Sequence, residues 1–188
     1  LRSMHPKLRK SFNQYSAQKQ HLFERLSDYT DKQLMSQPDE ASWSVIQVLD
    51  HLYTVERASV NYCLKKIKAG DQIPRSNWWG KLRFQLYMPF LYSKIKFKAP
   101  KGVDKPRNEM GIEAMKQIYA QLQDDLERFL EEYPDRFLNR AIYKHPFAGR
   151  ITLDQMIIFL SAHWGHHQHQ LDRLLAVHSG LGDVGQES

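Results

Sequence analysis

The stretch SAHWGHHQHQLDRLL places four histidines, His163, His166, His167 and His169, within seven residues. Imidazoles at this density suit the binding of a divalent metal ion through neutral ring nitrogens. So many histidines make an i,i+4 pair cheap, and the face each ring occupies says more than the spacing. With Leu160 as the zero of a helical wheel advancing about 100° per residue, Leu153, Met156, Leu171 and Leu174 fall within about 40° of it. His167 lies about 20° from zero and His163 about 60° to one side, whereas His166 is about 120° away and His169 is on the opposite face. His163 and His167 therefore point inward one turn apart, about 6 Å in axial rise. The same separation holds zinc in H-E-x-x-H helices. His169 is predicted to be wet.

Inward-facing ring nitrogens cost desolvation unless something satisfies them. A metal does so; so do buried waters, carboxylates or backbone carbonyls. A third candidate ligand is His51, about 60° from the apolar stripe of Val45, Val48, Leu52 and Val55 on another helix. Alone, it also reads as a half-exposed boundary histidine. Three imidazoles would leave positions open for water or substrate, the pattern of a catalytic rather than a structural site. Glu56 and Asp172 are candidates for orienting the ligands from behind. His5, His21, His145 and His178 have ordinary explanations in helix ends and loops, and Cys63, 12 residues beyond His51, reads as a small core residue.

Four amphipathic segments must position these side chains. The first runs from about Pro6 to Leu26, with Leu8, Phe12, Tyr15, Leu22 and Leu26 mostly on helical spacing; Thr30 can cap a short turn through Met35. The second starts at a capping box, Ser44 with Gln47, and ends near Gly70. The third spans about Glu109 to Tyr133, and the fourth starts at a second box, Thr152 with Gln155, and runs to about Val177. No strand-like alternation of useful length is present. The expected fold class is all-α, a four-helix bundle with a long crossover between the second and third helices. It forms one domain over 4–178, followed by a flexible tail, 179–188. The crossover, broken by Pro74, Pro89, Pro100 and Pro106, is expected to contain helical turns.

Composition narrows the function. The 188 residues carry 41% hydrophobic and 26% charged side chains, which fits a soluble globular protein. No apolar run approaches a membrane span. LRSMHPKLRK lacks a secretory h-region, and Leu1 to Ser3 read as a cloning scar. The lone Cys63 rules out an internal disulfide and fits a cytoplasmic location. The net charge of +6 is concentrated: Arg75 to Arg107 holds nine basic residues and one acid, and seven of the 22 aromatics. Its aromatics are expected to pack on the helices while its lysines face solvent. The Arg75 to Arg107 crossover is expected to cover the mouth of the site with positive charge, which neutralising Lys94, Lys96 and Lys98 would test.

Three motifs carry a resemblance. Trp43 and Ser44, followed after six residues by His51 and Leu52, resemble the second helix of the DinB/YfiT-like metalloenzymes of the DinB superfamily. HPFAGRIT, His145 to Thr152, resembles the lead-in to that family's last helix, and His163-x-x-His166-His167-x-x-Gln170 resembles its signature, often written H-x-x-H-H-R-G-Q. The resemblance, over roughly 6–177, implies a four-helix bundle, often a homodimer, with one divalent ion on His51, His163 and His167. His166 is then not a ligand. Gln168 and His169 stand where the family often has Arg-Gly, which leaves the substrate class open. Characterised relatives are metal-dependent transferases or isomerases that use a low-molecular-weight thiol, and others are described as hydrolases. The expectation is a thiol S-transferase-like enzyme holding zinc or nickel and a small-molecule substrate, with the catalytic group a metal-bound water or thiolate. The alternatives are a hydrolase using a metal-bound water and histidines kept only for structure. Another is a non-catalytic binding module working through 75–107 on a membrane surface or, less favoured, on nucleic acid.

Overall fold

Pro6, with its φ already helical and no N–H to lose, opens α1 (Pro6–Leu26). The His5 ring accepts from Lys7 N at 3.2 Å and caps it. The computed structural model describes residues 3–92 and 102–178, with no side chain for Tyr92 or His178. Lys94, Lys96, Lys98 and the expected tail at 179–188 lie outside the described residues. The buried positions of α1 are Leu8, Phe12, Tyr15, Lys19, Leu22 and Leu26, spaced alternately by four and three. That is the seam of a helix packed nearly parallel to its neighbours. A lysine occupies one of the six positions.

Capping chemistry sets most of the remaining helix starts. Thr30 and Gln33 form a reciprocal box on α2 (Asp31–Met35), and Ser44 and Gln47 form one on α3 (Val45–Lys66). Thr152 and Gln155 form a third on α6 (Leu153–His178). Helix α5 (Ile112–Glu132) starts three residues later than the spacing predicts, because Asp31 of α2 reaches across to accept from Ile112 N at 2.7 Å. Gly111 makes that approach feasible, since a Cβ there would collide with the Asp31 carboxylate. Helix α3 passes into a 3-10 turn, Ile67–Gln72, in which Gly70 takes a positive φ of 52°.

The crossover contains one full helix, α4 (Trp78–Tyr92). Its N-terminal approach is anchored by Ser76 N donating to Asn139 O (2.7 Å) and Ala141 N donating to Pro74 O (2.8 Å). The long helices pack in pairs, α1 and α3 each against both α5 and α6, while α4 lies on α6. Helix dominates the described residues, so the class is all-α.

Three expectations fail. A hairpin forms from β1 (Tyr143–His145) and β2 (Gly149–Ile151), with Tyr143 opposite Ile151. Three-residue strands are too short to register as alternation. The three-residue loop places a glycine in the left-handed region, Gly149 at φ 75°. His145, expected in a loop, is buried in β1, and its Nδ1 accepts from Phe147 N (3.1 Å) and Ala148 N (3.0 Å). The aromatics of the basic segment divide. Phe84 is buried, whereas Trp78 and Trp79 stand exposed, against the expectation that such rings pack inward.

Candidate metal centre

Three imidazoles from two helices meet in the interior. His51 projects from α3, and His163 and His167 from successive turns of α6, so that one ring nitrogen of each lies within 4.8 Å of the others. Ring centroids are 5.3 Å apart for His51 and His163, 5.1 Å for His51 and His167, and 4.9 Å for His163 and His167. His51 is fully buried; His163 and His167 keep an accessible edge. His169 is exposed, as its place on the wheel predicts.

Hydrogen bonds set the tautomers. Val103 O lies 2.8 Å from His51 Nδ1, and Gln170 Oε1 lies 2.9 Å from His167 Nδ1. Both oxygens only accept, so both Nδ1 atoms carry the proton and each free lone pair sits on Nε2. Val103 is held in place by its neighbours. Arg107 donates to the buried Asp50 carboxylate through its backbone N (2.9 Å) and its guanidinium (3.0 Å), and Gln47 Nε2 donates to Pro106 O (3.4 Å). The returning chain is thereby fastened along the first turns of α3.

All three rings are neutral near pH 7. Burial lowers the pKa of His51, and burial with the neighbouring imidazoles of His167 and His51 holds His163 well below the usual histidine range. Burial pushes His167 down to about 4, the Gln170 hydrogen bond opposing it in part. Neutral imidazole is the form that ligates a metal. The donor set also passes a second test of fit. Among the described residues only two buried side-chain polar atoms lack a hydrogen-bond partner, Ser16 Oγ and His163 Nδ1.

The walls are aromatic. The Trp43 ring lies 5.2 Å from His51, and Phe159 stacks on His163 at 5.7 Å with an interplanar angle of 13°. Phe159 in turn meets His145 edge-on at 4.3 Å. Burial takes His145 down to about 4. His166 sits beside the centre with its Nδ1 3.0 Å from Leu91 O, which ties α6 to the end of α4.

The two carboxylates expected to orient the ligands are engaged elsewhere. Glu56 accepts from Trp164 Nε1 and lies 3.5 Å from Lys19 Nζ. Asp172 accepts from Arg25 and Gln168, both at 2.9 Å. The acceptors that bond rings of the cluster are Val103 O and Gln170 Oε1. Gln170 is three residues beyond His167, a spacing that brings side chains together on a helix. Nothing in the local sequence marks a carbonyl 52 residues away. Cys63 is a core residue as expected; burial raises its thiol to about 12, and its Sγ meets Met156 Sδ at 3.4 Å.

A family model described as the DinB superfamily matches residues 14–171, a span that includes α3 and the three histidines. No curated protein and no solved structure matches the chain.

Proposed function

This chain belongs to the DinB superfamily, and from that membership together with the histidine cluster we propose that it is a metal-dependent enzyme. His51, His163 and His167 hold one divalent ion, zinc or nickel, in a four-helix bundle formed by α1, α3, α5 and α6. The observation that carries this reading is the approach of three neutral ring nitrogens to within 4.8 Å, one ring keeping an unpartnered buried nitrogen.

Bound there, a divalent ion would supply Lewis acidity and, with three uncharged ligands, full affinity for an anionic partner such as a thiolate. The chain's own residues do the rest. Val103 and Gln170 fix ring orientation, and Trp43 and Phe159 keep bulk water from the interior side. Thiol S-transfer, the chemistry that the family resemblance implies, is preferred, with hydrolysis the second. Homodimerisation belongs to the same reading.

Metal content by mass spectrometry tests it. About one ion per chain is expected, lost in His51→Ala, His163→Ala and His167→Ala and retained in His169→Ala. Transfer of a low-molecular-weight thiol by the loaded protein then supports the transferase reading, and ester or amide cleavage without any thiol supports the hydrolase. No ion in any sample after metal is offered back would end both.

A further inference from the structure

Helix α4 is apolar on both faces. Its inner face, Gly80, Phe84, Tyr87 and Leu91, lies against α6 and β2. On a wheel with Phe84 at zero, Trp78, Trp79, Leu82, Leu86 and Pro89 all fall about 120° or more away. Trp78, Trp79 and Leu86 are 61%, 57% and 61% exposed. No charged residue interrupts this outer face. Lys81 and Arg83, both exposed, flank it in opposite directions, about 60° and 100° from Phe84. A helix apolar all round is suited to burial on both sides, and packing within the molecule supplies one of them.

We propose that α4 docks the protein peripherally on an anionic phospholipid bilayer. Trp78, Trp79, Leu82 and Leu86 enter the interface, and Lys81 and Arg83 reach headgroup phosphates from its flanks. Charge selects this occupant. Helix α4 and the residues leading into it from Ile73 carry Arg75, Lys81 and Arg83 and no acid, so a second copy seated on the same face about a two-fold axis would bring like charges together. An anionic surface is attracted by the same charge. The two tryptophans stack on each other, with centroids 3.8 Å apart, and leave no gap into which a nucleobase could insert. Tryptophan is also the side chain enriched at the headgroup level. Fifteen residues are too few to span a bilayer, and no described helix is long and apolar enough to cross one. The helix lies on the surface.

Co-sedimentation with vesicles tests the proposal on the full chain. Partition is expected onto phosphatidylglycerol and phosphatidylcholine in equal parts, and it should weaken with salt and be largely lost on phosphatidylcholine alone. Replacing both tryptophans (Trp78→Ser with Trp79→Ser) should lower partition more than roughly tenfold. Lys81→Gln and Arg83→Gln should each lower it about fivefold. Circular dichroism and metal content should be unchanged in every variant, which separates this result from that of the histidine site. No partition onto anionic vesicles, or partition indifferent to the tryptophans, overturns the proposal. So does a concentration-dependent dimer that the double variant abolishes, or a single-stranded oligonucleotide bound more tightly than the vesicles and lost in the same variant.

Discussion

Two polar clusters occupy the interior, and they draw on the same two helices. His163 and Trp164 are consecutive on α6, and His51 and Glu56 lie five apart on α3. About 100° of rotation per residue sends one member of each pair to the histidine cluster and the other to a separate core. In that second core Glu56 takes bonds from Trp164 and Lys19. Lys19 also sits 4.1 Å from the centre of the Tyr15 ring, and Tyr119 OH donates to Leu49 O at 2.8 Å. Burial lowers the Lys19 pKa while the Glu56 charge opposes the shift. Both clusters are buried, but only one is closed. The Lys19–Glu56 cluster satisfies its charges internally and needs no ligand. The histidine cluster brings lone pairs together and leaves His163 Nδ1 unpartnered. Completeness of hydrogen bonding, rather than burial or charge, separates the structural cluster from the one open to an ion.

The contrast can be broken from either side. Glu56→Ala would strand a buried ammonium and should cost about 3–5 kcal/mol by chemical denaturation, with metal per folded chain unaltered. The pair Lys19→Met with Glu56→Gln should recover most of that loss, since it removes both charges. A fall in metal content with Glu56→Ala would merge the two clusters into one functional unit.

His145 offers a third buried polar group with its Nδ1 bonds satisfied, and its titration sharpens the comparison. Its pKa falls from 6.5 to about 4 on folding, so the unfolded chain takes up a proton that the folded chain refuses. Its contribution is complete above pH 6.5 and is lost as pH falls towards 4, about 3 kcal/mol in all. Denaturation of metal-free protein across that window should show a steeper loss in wild type than in His145→Asn. Equal slopes would place the proton elsewhere.

Gln170→Leu removes the acceptor that orients His167 and should weaken metal binding roughly 10- to 100-fold with little change in folding stability, by competition titration against a chelator. Unchanged affinity would mean that the ring is held by packing alone. The smallest effect belongs to His163→Leu in metal-free protein. Because it deletes an unsatisfied buried nitrogen, stability should stay level or rise by about 1 kcal/mol, while stabilisation by added metal disappears. A destabilised apo protein would show that His163 has a structural partner after all.

Much of this was legible from residue spacing, for identifiable reasons. The bounds of α1 and α2, the Thr30 cap and the two capping boxes at Ser44 and Thr152 follow from side chains bonding backbone within three residues. The inward turn of His163 and His167 and the exposure of His169 follow from helical period. Legibility failed where partners are distant or elements short. Nothing near Lys19 marks it as a buried member of the α1 stripe, because its counter-charge lies 37 residues away on α3. The hairpin was too brief to show a period. The late start of α5 depends on a carboxylate from α2.

Sequence by itself determined the four long helices, the family and the inward turn of His163 and His167, because each rests on local periodicity or on a short spaced pattern. Tertiary structure alone decided that the three rings converge, that Val103 and Gln170 orient them, that Glu56 belongs to a different core, and that Trp78 and Trp79 face outward. Those outcomes depend on which helix faces are brought together, and a periodic pattern marks a face without naming its partner.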